Sequence, residues 1–211
     1  MNKTAIIIPS RLDALRLPNK PLKLINNKEM ILHVYEAAKK TNTGEVYVAT
    51  PDQKIIDIII SNGGKAVLTS LNHQTGTDRI YEVFKTKLKS EPNVIVNLQG
   101  DMPNIDPQAI TDLVSYMHKD QCDIGTLASS FSSESELIDE NNVKVAVKDK
   151  LATNIFQKAT DFFRTGVKNY KNFYHHVGIY AFTNKALVRY VSLERSKLEL
   201  ERKLEQLRAL E

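Results

Sequence analysis

The chain has 211 residues, 42% of them hydrophobic and 26% charged, which suits one α/β domain with a sizeable core and argues against a disordered chain. Lys and Arg number 29 against 25 Asp and Glu, a net charge of +4. That mild excess fits a small anionic substrate, and with 7% aromatic residues and no long basic run nucleic-acid binding is poorly supported. The single cysteine, Cys122, excludes an internal disulfide or a cysteine-based zinc site and fits a reducing compartment. The apolar run near the N-terminus is too short for a signal peptide or membrane span, so a cytoplasmic location is expected.

Residues 5–8 form an apolar run closed by Pro9 and read as a buried first strand. A polar loop, Pro9 to Lys23, follows. Glu29 to Lys40 carries Ile31, Val34, Tyr35 and Ala38 at helical spacing. Glu45 to Thr50 reads as a second strand, and Pro51-Asp52 opens a helix that ends at Asn62-Gly63-Gly64. Lys65 to Thr69 is a third strand, Asp78 to Lys89 a helix, and Val94 to Leu98 a fourth strand. Strands alternating with helices predict a mostly parallel α/β sheet covered on both faces, with ligands outside the carboxyl ends of its strands. Pro9–Lys23, Leu71–Arg79 and Gln99–Pro103 leave those ends. The second half is less regular: strands are expected at Val143–Val147 and His176–Phe182, and helices at Asn184–Val191 and Lys197–Leu210. The last helix reads as a packed or dimer-interface element, and with no linker in sight residues 1–211 read as one domain.

The loop after the first strand carries Arg11, Arg16, Lys20 and Lys23. Such a cluster suits a polyphosphate, because guanidinium groups bind phosphate oxygens in bidentate fashion and lysine adds a point charge. The loop has no glycine, so it is neither a Walker A nor a dinucleotide-binding loop; a merely solvated basic loop is the alternative. Asp101, after Gln99-Gly100 at a strand end, is placed to ligate Mg²⁺ beside substrate phosphates, or else to serve as a turn residue or cap. In His73–Arg79, Thr77 is the expected helix cap, and the same amides suit an anion or a base carbonyl; Arg79 has no such structural alternative in the sequence. His175 and His176 are adjacent in an expected strand and point to opposite faces, which argues against a shared metal.

Together these segments resemble the sugar cytidylyltransferase family. Ile7-Ile8-Pro9-Ser10-Arg11 with Arg16-Leu17-Pro18-Asn19-Lys20-Pro21-Leu22 is similar to the family's opening motif, I-P-A-R-x-x-S-x-R-L-P-G-K-P-L. His73–Arg79 resembles H-x-S/T-G-T-D/E-R of the branch that makes CMP-Kdo, and Val96–Pro103 resembles V-N-V-Q-G-D-E-P. Asn142–Val145, His176–Tyr180 and Leu204–Arg208 continue the likeness in order. The resemblance implies a Rossmann-like nucleotidyltransferase sheet with a small α+β dimerisation and sugar-binding region, in a homodimer. It implies transfer of CMP from CTP to 3-deoxy-manno-octulosonate (Kdo), with release of pyrophosphate, for lipopolysaccharide assembly. Arg11, Arg16 and Lys20 would hold the triphosphate and Asp101 would ligate Mg²⁺. Thr75, Thr77 and Arg79 would lie at the nucleotide end, and Gln99, His176, Tyr180, Glu205 and Gln206 on the sugar side, with His176 donating to the sugar carboxylate.

The sequence departs from the family pattern at Ala14, Asn19, Met102, Lys158 and His175. Asn19 stands for Gly and suits a left-handed backbone; Met102 stands for an acid beside Asp101. Family chains run on into a V-D-T-P-E-D-L motif whose Asp is a second metal ligand. The sequence stops at Glu211, so weak CTP binding and poor catalysis are expected of these residues alone. A catalytically impaired nucleotide-binding relative and a sialic-acid-type cytidylyltransferase are the alternatives.

Overall fold

A computed structural model of the chain describes residues 3–13, 17–119, 122–152, 155–166 and 170–211. Its centre is β1 (Thr4–Pro9), buried along its whole length. An all-apolar strand needs cover on both faces, and β1 has it: Ile6 and Ile8 enter one core cluster while Ile7 enters another. β4 (Glu45–Thr50) and β6 (Val94–Asn97) flank β1 in parallel, and β5 (Ala66–Leu68) extends the sheet beyond β4. On the Ile6/Ile8 face lie α1 (Met30–Lys40), α2 (Gln53–Ser61) and α4 (Pro107–Lys119), through Ile31, Val34, Ile55, Ile59, Ile110 and Leu113. On the Ile7 face lie α3 (Gly76–Thr86) and α6 (Asn184–Ser192), through Ile80, Val83, Phe84 and Leu187. The α/β alternation expected from the sequence is therefore present, with helices on both faces.

The second half continues the same sheet antiparallel. β10 (Phe173–Thr183) runs against β6 with Tyr180 opposite Asn97, against β7 (Ile124–Ser129), and against β8 (Lys144–Val147), which pairs β9 (Ala159–Phe163). The eight-stranded order is β5-β4-β1-β6-β10-β8-β9, with β7 on β10. The register of β10 shifts between Val177 and Tyr180, a bulge that re-aims side chains. A short hairpin of β2 (Leu24–Ile25) and β3 (Lys28–Glu29) turns at Asn26 and Asn27, both at positive φ, as a two-residue hairpin requires. A short α5 (Glu134–Ile138) precedes β8. α4, α5, β7, β9 and the hairpin were not expected from the sequence.

The expected continuous helix over 197–210 is corrected. It is α7 (Lys197–Arg202), then a residue in the left-handed region, Lys203 (φ 55), then a 3-10 helix, Glu205–Ala209. The break drops Leu204 and Leu207 into a core cluster with Val145 and Phe162. The apolar stripe is thus largely spent inside this chain, although Leu200 stays exposed. No helix among the described residues is long and apolar enough to cross a membrane.

Candidate active site

Three loops converge at the carboxyl edge of the parallel strands around a cleft of about 290 Å³. The loop after β1 supplies Ser10, Arg11 and Lys20; the segment before α3 supplies His73 to Gly76; the loop after β6 supplies Gln99, Gly100 and Asp101. Two glycines permit this approach. A Cβ on Gly76 would lie 3.2 Å from Pro9 Cγ, and one on Gly100 would lie 3.0 Å from the Pro9 carbonyl oxygen. Lys20 begins a one-turn 3-10 helix, Lys20–Leu22, entered through Asn19 at φ 56, the left-handed conformation its place in the motif called for. Lys20 donates to Asp101 Oδ2 at 2.6 Å, both side chains being substantially exposed. An exposed pair of this kind is worth little, so either partner is free to exchange the other for a phosphate or a cation. The Ser10 hydroxyl is buried in the cleft wall and has no partner among the described residues. Arg16 lies outside the described residues, and Lys23 does not line the cleft. Met102, where an acid was expected, packs against the core.

At the start of α3 the cap is Thr75, not Thr77. Thr75 Oγ1 accepts from the Asp78 amide at 3.1 Å, and Asp78 Oδ2 accepts from the Thr75 amide at 3.1 Å, a complete capping box. Thr77, two residues further in, is buried and lines a second cavity instead of this cleft. Arg79 does have a structural role. It is 3% exposed, and its Nη1 donates to Thr69 Oγ1 at 2.6 Å and to the Ser70 carbonyl at 3.0 Å. Burial, with repulsion from Arg11, lowers its pKa, while Glu82 and Asp52 oppose this. Glu82 accepts from the Ser70 amide at 3.0 Å and pairs with His73. Burial alone would raise the Glu82 pKa, but these hydrogen bonds hold it below the usual carboxylate range. Arg79 and Glu82 together pin the 70–75 loop that forms one wall of the cleft.

Beside the cleft is a larger cavity of about 730 Å³ between β7, β10 and the C-terminal 3-10 helix. It gathers Thr77, Gln99, His176, Tyr180, Glu205 and Gln206, residues drawn from four separate stretches of sequence. Gln99 lines both spaces. Behind it runs a polar chain: Gln99 Nε2 donates to Asn97 Oδ1 at 3.1 Å, and Asn97 Nδ2 donates to Thr77 Oγ1 at 3.4 Å. Lys158 also lines this cavity. His175, as the strand alternation required, faces elsewhere: it pairs with Glu136 at 2.7 Å and stacks on Phe131.

Burial biases three groups of the larger cavity, His176, Tyr180 and Glu205, toward their neutral forms. Burial, with a smaller contribution from His175, lowers the His176 pKa to about 4. Burial raises Glu205, against the Thr77 hydroxyl and Arg208, and its Oε1 is buried without a partner among the described residues. Burial also raises Tyr180, as does the nearby Glu205 carboxylate. The tautomer of His176 follows from Thr126. That hydroxyl lies 2.7 Å from the Ile179 carbonyl, to which it donates, so Nε2 of His176, 3.0 Å from the same oxygen, must be the donor to it. The other ring nitrogen of neutral His176 is then an acceptor. Donation to a sugar carboxylate, expected from the sequence, requires the ring to gain a proton first. Ser10, Asn97 and Thr126 were not singled out from the sequence. Asn97, a polar residue ending an apolar strand, carried a readable signal; Thr126 did not, because its importance comes from the β10 bulge opposite.

A parallel half-sheet whose carboxyl edge bears a cationic cleft, beside a larger cavity that shares Gln99 with it, is the arrangement of a nucleotidyltransferase. Comparison with known proteins narrows this. The sequence model described as "Cytidylyltransferase" matches residues 5–211. The chain is 41% identical over 211 residues to the 3-deoxy-manno-octulosonate cytidylyltransferases of Brucella ovis and Brucella abortus, covering 99% of this chain and 84% of each relative. The solved structure of a CMP:2-keto-3-deoxy-manno-octonic acid synthetase complexed with CTP superposes with a TM-score of 0.87 at 37% identity, over 99% of this chain and 85% of that one. A glucose-1-phosphate thymidylyltransferase from Bacillus anthracis shares the fold, with a TM-score of 0.63 at 14% identity over 95% of this chain and 78% of that one. The chain belongs to the cytidylyltransferase family.

Proposed function

We propose that this protein transfers CMP from CTP to the anomeric hydroxyl of 3-deoxy-manno-octulosonate, forming CMP-Kdo and pyrophosphate for lipopolysaccharide assembly. The observation that carries the proposal is the pair of adjoining cavities that share Gln99: a small cationic one and a larger one lined by hydrogen-bonding groups. In the reaction the sugar oxygen bonds to the α-phosphorus, the bond from that phosphorus to the bridging oxygen of the β-phosphate breaks, and the hydroxyl proton passes to solvent. Arg11, Arg16 and Lys20 hold the triphosphate and offset the charge that develops on the leaving pyrophosphate, which is a task of positioning and electrostatics. Thr75 lies at the nucleotide end; Arg79 acts there by pinning the loop. Gln99, Thr77, His176, Tyr180, Glu205 and Gln206 receive the sugar. Neutral His176 accepts from a sugar hydroxyl, or takes up a proton to meet the carboxylate.

The donor set fits Mg²⁺ held largely by substrate. Asp101 is the one carboxylate lining the cleft among the described residues, and Mg²⁺ needs only one or two protein carboxylates beside phosphate oxygens. When bound, the ion would polarise the phosphoryl oxygens and orient the attack. We further infer that residues 1–211 act as one domain, a reading supported by the single sheet that runs through both halves. A cytoplasmic homodimer joined through the second half fits the exposed Ile138, Val188 and Leu200. The test of substrate is competition: Kdo and a sialic acid are offered together with CTP and Mg²⁺, and the CMP-sugars are identified by mass. CMP-Kdo as the main product supports the proposal; CMP-sialic acid as the main product overturns it.

A further inference from the structure

Glu205 and Gln206 reach the larger cavity from a 3-10 helix of five residues, Glu205–Ala209, too short to hold its own place. What fastens it lies behind the cavity wall. Arg208, 6% exposed, donates Nε to Glu199 Oε2 at 2.8 Å and Nη2 to Glu199 Oε1 at 2.7 Å, and Glu199 is 1% exposed. The same guanidinium lies over the Tyr190 ring, 4.9 Å from its centroid, and the Tyr190 hydroxyl donates to the Glu205 carbonyl at 2.8 Å. Neither Arg208 nor Glu199 lines the cavity. Their meeting depends on the chain break. Residues nine apart on one continuous helix point about 180° away from each other, and the left-handed Lys203 between them folds Arg208 back onto Glu199.

We propose that Arg208, which itself reaches no ligand, is a positioning residue for the sugar site, holding Glu205 at its place in the cavity. The inference rests on the larger cavity being the sugar site. Burial, with Asp78 on α3 and Glu199 on α7, disfavours charge on Glu205, while the Thr77 hydroxyl and Arg208 favour it. The phenols of Tyr180 on β10 and Tyr190 on α6 also lie within its field, and His176 and Lys203 share the cavity. Arg208 is thus the cation that most directly offsets the burial of Glu205.

Two variants separate the roles. Glu199→Met with Arg208→Met replaces the buried pair by apolar groups of similar length, a change such sites tolerate. Arg208→Lys keeps the charge and loses the fork and the stacking. In the double variant the KM for Kdo is expected to rise about tenfold, with the KM for CTP within about twofold of the parent. The Glu205 carboxyl resonance, followed by ¹³C NMR and assigned with Glu205→Gln, is expected to move and broaden as the 3-10 helix loosens. In Arg208→Lys the Kdo KM rises and the same resonance moves, because the fork and the stacking are lost. An unchanged Glu205 resonance in the double variant, or an unchanged Kdo KM in an active one, overturns the inference. If the double variant does not fold, Arg208→Lys decides by the same two measurements, either one unchanged overturning the inference. If the parent shows no Kdo-dependent turnover, the sugar assignment fails, while the Glu205 resonance still decides whether Arg208 holds Glu205 in place.

Discussion

Arg79 separates a ligand-binding cation from a structural one. Its guanidinium is 3% exposed and holds Thr69 Oγ1 at 2.6 Å and the Ser70 carbonyl at 3.0 Å. Arg79→Lys keeps the charge but reaches one acceptor instead of two, and a hydrogen bond from a charged donor is worth roughly 1.5–3 kcal/mol. A loss of about 2 kcal/mol is therefore expected, and at roughly 2–4 °C per kcal/mol for a chain of this size the melting temperature should fall by about 4–8 °C. Arg79→Met strands both acceptors and should cost more, roughly 2–6 kcal/mol at about 1–3 per orphaned group. That is a large part of a typical stability of about 5–15 kcal/mol. Urea unfolding followed by circular dichroism reads both variants, the midpoint falling with the slope unchanged. The KM for CTP should rise in Arg79→Lys as the 70–75 wall loosens. An Arg79→Met protein as stable as the parent would refute the structural role and return Arg79 to the ligand.

Three further outcomes are expected. Gly44→Ala should destabilise by about 1–3 kcal/mol or more, because the added Cβ would lie 2.1 Å from the Thr4 carbonyl oxygen; thermal melting checks this. Thr75→Ala should cost about 1 kcal/mol through loss of the α3 cap, and Thr75→Ser should restore it in the same assay. His176, with its pKa lowered from 6.5 to about 4 by burial, takes up its proton more readily when the chain unfolds. Its effect on stability is therefore nil above about pH 6.5 and grows unfavourable down to about pH 4, reaching about 3 kcal/mol at 1.36 kcal/mol per unit. Glu205, raised by burial, works in the opposite sense, stabilising below its unfolded pKa and losing that contribution as pH rises through its folded value. Denaturation of His176→Asn across pH 4–7 should show a smaller acid-side decline than the parent.

The parallel half of the fold was legible because each of its elements carries a local signal. β4 occupies the span read from the sequence, and the Asn62-Gly63-Gly64 stop lies where α2 ends. α4 was legible and overlooked: Ile110, Leu113, Val114 and Met117 recur at helical spacing after Asp106-Pro107. β7 and β9 offer no clean alternation, because long-range pairing with β10 and β8 creates them. The cleft residues Arg11, Lys20 and Asp101 stood out as charges at strand ends. Thr77 was misplaced because periodicity does not tell which way the first turn of a helix faces once a capping box sets its start two residues earlier; Arg79 does line the cleft, but its hold on Thr69 and Ser70 was not legible. The Glu199–Arg208 pair was invisible, since its spacing matches no helical neighbour rule and depends on the break at Lys203.

The most direct test of the central claim is pyrophosphate release from CTP and Mg²⁺, with and without Kdo, by this chain and by Asp101→Asn and Lys20→Ala. Kdo-dependent release is expected from the parent, reduced roughly 10²–10³-fold in Lys20→Ala, as for loss of one electrostatic donor, and strongly reduced in Asp101→Asn. No release by a folded parent, or release indifferent to Kdo, would contradict the claim.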